Sequence, residues 1–426
     1  MVLEHGEKLF NFYRDAINRV CTILVCKKCE MKILILNAGS SSLKYQLTSM
    51  PEWNVLSKWL VDKIAIDWTV IKHVGKEGKL EIAGNLENHS VALKKVLELL
   101  VDPTHGVLNS LEEIDAAGHR VVHGWEHFVN SSKIDDHAKI KIDELSELAP
   151  LHNPANLMGI HAVEEVLPNI PNIAVFDTSF HQTMEPSAYM YSIPYKYYEK
   201  YKVRRYGFHG TSHKYVSHRA AEMLDKDIKD MNIIVCHVGN WASVSAIKGG
   251  KVVDTSMGFT PLEGLTMGTR SGDLDPAIVA FLMRKENMTI EDIDHMLNKQ
   301  SGVLGISGVS SDMRDIEDGH IAGKVQETLA LEIYVNKIVK YIGSYTAILN
   351  WCDAVVLTAG TLENSAYIRK MIADKLTWLG IVLDESKNDF RWEERIISTP
   401  ESKSVLMVVP TNEEYMIAKE TYDLLK

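Results

Sequence analysis

A chain of 426 residues, 46% hydrophobic and 24% charged, is long enough for two or three domains and has the composition of an ordinary globular protein. Its net charge of −11 argues against a nucleic-acid footprint, and no apolar run reaches the roughly 18 residues that span a bilayer. Five cysteines, three of them crowded at Cys21, Cys26 and Cys29, make no disulfide framework, so a reducing cytoplasm is the expected compartment.

Residues 1–30 differ from the rest. Their cysteine spacing invites a zinc reading, but no second CxxC or His pair follows. The apolar piece at 21–26 is too short for a signal-peptide core. A leader or an early start codon, outside the fold, is expected.

Residues 32–36 form a short apolar run of the buried-strand kind. A turn of small residues, Asn37-Ala38-Gly39-Ser40-Ser41-Ser42, follows, and 43–47 resumes an alternating pattern that carries Lys44. A hairpin of this kind can grip an anion at its tip, although a plain serine-rich surface hairpin fits the same letters. Residues 88–100 have helical spacing, 118–124 (GHRVVHG) read as a strand edge, and 148–154 lead into a helix with Pro154 near its first turn. Another strand, 173–176, ends at Asp177.

Two arginines and two histidines cluster around glycines in 204–213, just before a helical stretch. The apolar run 232–238 repeats the first pattern, with a small-residue turn from Gly239 and a return at 244–247. The loop 254–275 is long, glycine-rich and without periodicity, and Arg270 is its cation; such loops in compact domains are usually functional. A third run, 354–357, ends in Thr358-Ala359-Gly360 and then Glu363-Asn364-Ser365. Short polar clusters stand at 310–314 and 410–414. Three strands that end in small-residue turns suggest three loops converging on one polyphosphate, with glycines for close approach and N–H groups as donors. None has the Gly-Lys-Ser ending of a P-loop.

Taken together, NAGSSSLKYQL, GHRVVHG, LAPLHNPANLMGI, VFDTSFHQTM, RRYGFHGTSH, DTSMGFTPLEGLTMGTRSGDLDPAI, SGVSSDMRDIED and PTNEE resemble the acetate kinase family, within the larger group of sugar kinases, Hsp70 and actin. The resemblance runs from Met31 to the C-terminus. It implies an α/β, two-lobed actin-like ATPase fold of duplicated ribonuclease H-like domains, with the active site in the cleft. Residues 31–180 plus 414–426 would form the N-terminal lobe, with the first phosphate loop and the acetate pocket. Residues 181–413 would form the nucleotide-binding C-terminal lobe.

The implied reaction is reversible in-line transfer of the ATP γ-phosphoryl to acetate, giving acetyl phosphate and ADP. By the same resemblance Arg120 and Arg270 hold the carboxylate and the moving phosphoryl, His209 stabilises the transition state and His152 lines the site. Asn37, Asp177 and Glu413 surround Mg²⁺ or Mn²⁺. Ser40, Ser42 and Lys44 lie on the first phosphate loop, Gly239 and Asn240 on the second, and Gly360 and Asn364 on the third. His237 joins the nucleotide set, and Asp312 and Arg314 flank the adenosine. Val122, Leu151, Phe208 and Pro261 form the pocket for the acetate methyl. Such a pocket separates homologous acids by only about 1–3 kcal/mol per methylene, so a propionate or butyrate kinase is the near alternative. The expected partners are acetate and ATP, with no nucleic acid or membrane, in a homodimer.

Two departures stand out against the resemblance. Leu362 replaces a glycine in the third loop. Trp125 and Trp241 also stand at glycine positions, as do Trp53, Trp59, Trp68, Trp351 and Trp392 on a looser correspondence, whereas Trp378 fits its place. The expectation is that UGA codons, read as glycine in certain bacterial lineages, have been rendered as tryptophan. UGG at Trp125 and Trp241 in the coding DNA would remove it. With tryptophan in place, an impaired nucleotide-binding member is the other alternative.

Overall fold

The computed structural model describes residues 30–38, 42–62, 69–84, 86–147 and 152–426. The cysteine triplet, the proposed leader, Ser40, Leu151 and Trp68 lie outside them. The chain divides into two units. One takes the described residues through Val121, Ser131–Val175 and Ile417–Lys426; the other takes Val122–Asn130 and Phe176–Met416.

The first unit holds β1 (Met31–Ala38), β2 (Ser42–Met50), β3 (Asn54–Asp62), β4 (Thr69–Gly75), β5 (Gly78–Gly84), β6 (Ala116–Val121), β7 (Ser132–Lys133) and β8 (Asn172–Phe176). They form one sheet in the order β5-β4-β3-β2-β1-β6-β8-β7. β1 is antiparallel to β2 and parallel to β6. A strand so placed is covered on both faces, which is why 33–36 read as an unbroken apolar run. Ile33 and Ile35 pack with Ile417 and Tyr422 of the helix Glu413–Leu425. Leu34 and Leu36 point the other way, into a cluster with Leu93 and Val96 of the helix His89–Leu100 and with Ala162 and Val163 of the helix Asn153–Val166. Asn88 starts the His89–Leu100 helix by accepting a hydrogen bond from Val91 N at 2.9 Å.

The second unit holds β9 (Asn232–Val238), β10 (Ala242–Lys248), β11 (Lys251–Thr255), β12 (Ala354–Thr358), β13 (Arg395–Ile396) and β14 (Val405–Val408), ordered β11-β10-β9-β12-β14-β13. β9, β12 and β14 run parallel. Ile234, Cys236, Val355 and Leu357 meet the helix Val325–Leu349 through Leu331, Val335, Ile338 and Ile342, three and four residues apart. On the opposite face Ile233, Val235 and Val356 meet Val216 and Ala220 of the helix Gly210–Met223.

The expected hairpins β1–β2 and β9–β10 both form. The third tip differs. β12 runs directly into a short helix, Ala359–Asn364, because a buried side chain rather than a returning strand satisfies its first N–H. Leu362 is fully buried in the core beneath it, so the side chain that departs from glycine points into the sheet–helix core.

Three of the tryptophans adopt left-handed backbone: Trp53 at φ 57°, Trp125 at φ 53° and Trp392 at φ 57°. A residue with a Cβ pays about 1–2 kcal/mol there. Trp59 is instead buried on β3, beside Tyr45 and His73 of the adjacent strands with ring centroids at 4.9 and 4.8 Å. Among the described residues no helix is long and apolar enough to cross a membrane.

Candidate active site

The parallel pairing of β9 with β12 sets His237 opposite Thr358, so the two strands release their tips at the same level. A Cβ built on Gly239 would stand 3.7 Å from Gly360 N. Ligands in α/β sheets collect at the carboxyl ends of such strands. A cavity of about 870 Å³ opens here, and Gly239, Asn240, Asp312, Arg314, Gly360 and Asn364 all line it. Six of the nucleotide candidates are therefore brought together. Asp312 caps the helix Met313–Ile321 through Arg314 N at 2.9 Å and also takes the Arg314 guanidinium, which holds its carboxyl below the usual range. Arg391 and Trp392 line the same cavity. The sequence marked Trp392 only as a departure from glycine and Arg391 not at all, because both arrive from a segment without a motif.

Behind these tips one carboxylate oxygen gathers three donors. Glu363 Oε1 accepts from Ala359 N at 2.6 Å, Thr411 N at 3.0 Å and Thr358 Oγ1 at 3.1 Å. Glu363 is 2% exposed, and burial raises its pKa. Ala359 sits at φ 67°, a strained value for a residue with a Cβ, and the Glu363 bond holds it there. Thr411 belongs to the cluster that carries Glu413, so one side chain ties the third tip to a proposed metal ligand.

Asp177, 1% exposed, follows β8. Its carbonyl accepts Gly210 N at 2.8 Å, and its Oδ1 accepts Thr211 Oγ1 at 3.2 Å. Any Cβ at Gly210 would lie 2.2 Å from that carbonyl, which is why glycine stands there. The next residue, Ser212, bonds both His237 Nδ1 at 2.8 Å and Thr411 Oγ1 at 2.6 Å. Asp177, His237 and the 410–414 cluster thus meet around the start of one helix.

His209 immediately precedes that helix at φ 59°, ψ 24°, a left-handed conformation. Its ring stacks on His237 at 4.1 Å between centroids, and Ser243 Oγ lies 2.9 Å from its Nδ1. The same hydroxyl lies 2.7 Å from His213 Nε2. Burial, with His181 and His237 nearby, drives the His213 pKa well below its ordinary value, so this ring is neutral.

Arg270 is 6% exposed on the 254–275 loop. The loop is fixed by Arg205 donating to Glu263 at 2.6 Å, Asp273 accepting Gly264 N at 2.9 Å and Tyr341 donating to Asp273 at 2.8 Å. Burial lowers the Arg270 pKa to about 10, which leaves it cationic at neutral pH. It donates to the Pro261 carbonyl at 3.3 Å. Val122 and Phe208 share one buried cluster.

In the first unit Arg120 Nη1 donates to Asn37 Oδ1 at 3.2 Å, joining two candidates from parallel neighbours β1 and β6. His152 stands at the N-cap of the helix Asn153–Val166. Asn156 of that helix donates to the Ala38 carbonyl at 2.9 Å, pinning the end of β1. Lys44 is exposed opposite Asn37. For Ser42 only the backbone, on β2, is described.

Solved structures resemble this chain over most of its length. The acetate kinase of Porphyromonas gingivalis superposes with a TM-score of 0.89 at 47% identity, covering 93% of this chain and 100% of that one. A propionate kinase from Francisella tularensis gives 0.86 at 42% identity, covering 92% and 99%. The fold is thus the α/β, actin-like ATPase fold expected from the sequence. The family model described as the acetokinase family matches residues 32–419. An acetate kinase of Desulfitobacterium hafniense is 53% identical over 397 residues, 93% of this chain and 100% of that protein. One from Thermoanaerobacter pseudethanolicus is 54% identical over 398 residues, 93% and 99%. The chain belongs to the acetokinase family.

Proposed function

We propose that this chain transfers the γ-phosphoryl of ATP to acetate, reversibly and in line, giving acetyl phosphate and ADP. The observation that carries the reading is the nucleotide-sized cavity at the tips of β9 and β12, set in the unit that also holds Asp177, His209 and the buried cation Arg270. Phosphoryl transfer leaves the protein little covalent work, so positioning and charge stabilisation dominate. The glycine tips and Asn240 hold the phosphates, Asp312 and Arg314 flank the adenosine, and His237 stands behind the second tip. Arg120 and Arg270 hold the acetate carboxylate and the equatorial oxygens of the moving group. His209 donates to that group, and His152 lines the acceptor side. Val122, Leu151, Phe208 and Pro261 enclose the methyl.

A divalent cation fits this donor set. Mg²⁺ typically takes one or two carboxylates together with substrate phosphates and water. Among the described residues no group of three or more His, Cys, Asp or Glu gathers at one point, while Asp177 and the Glu413 segment are drawn together through Thr211, Ser212 and Thr411. Asp177 and Glu413, with Asn37, would hold Mg²⁺ or Mn²⁺ brought in with the nucleotide, and the ion would neutralise phosphate charge. A cytoplasmic homodimer is the expected assembly.

The test is a hydroxamate assay with ATP, Mg²⁺ and acetate, propionate or butyrate. Acetate should give the highest kcat/KM, with propionate second. The reading fails if neither the chain as written nor its W125G/W241G form makes acyl phosphate, or if butyrate is preferred.

A further inference from the structure

Ser243 Oγ has one hydrogen to give and two imidazole nitrogens within reach, His209 Nδ1 at 2.9 Å and His213 Nε2 at 2.7 Å. These are its hydrogen bonds among the described residues. If both rings donated, the serine hydrogen would have no acceptor; if neither did, one hydrogen would have to serve two. One ring therefore donates and the other accepts. The choice is made at the far side of His213, whose Nδ1 is buried with no hydrogen-bond partner among the described residues. A bare lone pair there is tolerable. An N–H there would be an orphaned buried donor, costing about 1–3 kcal/mol. His213 is neutral and fully buried, so its single proton belongs on Nε2, where it has a partner.

We propose that Ser243 and His213 are positioning residues that fix the tautomer of His209. The order is His213 Nε2–H to Ser243 Oγ, and Ser243 O–H to His209 Nδ1, which places the His209 ring hydrogen on Nε2. A ring nitrogen that must accept from one side leaves the other as donor. The stack on His237 at 4.1 Å holds the ring plane, and the left-handed backbone of His209 is the strain that this bonding maintains. His209 then offers a neutral, oriented N–H to the phosphoryl oxygens with no proton to be taken up first. This rests on the reading of His209 as the residue that faces the moving group. The tautomer itself does not depend on that reading.

The direct measurement is long-range ¹H–¹⁵N correlation on histidine-labelled protein, with His209 assigned by the loss of its signals in His209→Gln. Expected are a bare Nδ1 and a protonated Nε2 on His209, and a protonated Nε2 on His213; a protonated His209 Nδ1 overturns the proposal. Ser243→Ala should lower kcat about tenfold to a hundredfold, less than the roughly hundredfold to thousandfold for removing an oriented donor outright, with KM for ATP and acetate little changed. His213→Gln, whose amide N–H can replace Nε2–H, should recover most of the rate lost in His213→Leu. Wild-type kcat in both Ser243→Ala and His213→Leu would also overturn it. If a variant does not fold, the wild-type spectrum still decides. If neither the chain as written nor its W125G/W241G form makes acetyl phosphate, the functional reading fails and the spectrum is judged by itself.

Discussion

The indole of Trp241 lies against the guanidinium of Arg270, with Cζ 4.3 Å from the ring centroid. Stacking of this kind is worth about 0.5–2 kcal/mol, and it holds the cation proposed above to reach a carboxylate or a phosphoryl oxygen. Trp241 also stands on the β9–β10 tip, directly after two residues that line the cavity. Trp241→Gly is expected to free Arg270 and raise kcat/KM for ATP about tenfold, equivalent to roughly 1.4 kcal/mol. Steady-state kinetics on the two proteins check this. A fall in kcat/KM would make the indole a working part of the site.

Trp392 offers the cleanest measure of backbone strain, because it is 63% exposed and little packing is lost with its ring. Trp392→Gly relieves about 1–2 kcal/mol of left-handed strain and costs about 0.5–1 kcal/mol in unfolded-chain entropy. A net gain of up to about 1.5 kcal/mol should appear as a higher urea midpoint at unchanged slope. A lower midpoint would contradict the strain argument.

Glu363→Ala strands three donors at once, those of Thr358, Ala359 and Thr411. A loss of about 2–4 kcal/mol is expected, together with a higher KM for ATP as the third tip loosens. Glu363→Gln keeps an acceptor oxygen and should lie nearer the wild type, consistent with a carboxyl whose charge burial already disfavours. Urea unfolding and ATP titration separate the two variants. An unchanged midpoint in Glu363→Ala would refute the role.

Acid should unfold the protein from below pH 6.5, the ordinary histidine value. Burial depresses His119 to about 4, His123 to about 3 and His181 to about 4. The unfolded chain therefore binds more protons than the native one throughout that window, and stability falls as pH falls. Each ring contributes on the order of 1–2 kcal/mol between pH 6.5 and 5. Urea midpoints at the two ends of that range measure it, and a flat profile would refute it.

Much of the fold was legible where burial writes a simple pattern. β1, β9 and β12 are covered on both faces and read as unbroken apolar runs, and small residues marked their ends. The third tip was misjudged as a plain turn because its helix is started by Glu363, four residues on, a bond no periodicity announces. The links from Ser243 to His209 and His213, both inside the marked 204–213 cluster, escaped for a related reason. Serine on a buried strand looks like filler, and its partners His209 and His213 lie some thirty residues away in sequence. Arg120 and Asn37 were each singled out, but their contact exists only because β1 and β6 are parallel neighbours.

The left-handed backbone at Trp53 carries a consequence for anyone moving the gene between hosts. Trp53 stands in the turn between the second and third strands of the first sheet. If its codon is UGA, an ordinary laboratory ribosome stops there, before β6 is made to cover the far side of β1, and releases a fragment with no core to bury. A recombinant product that ends at that turn, beside full-length protein from a glycine-decoding host, would read the codon from the size of the polypeptide alone.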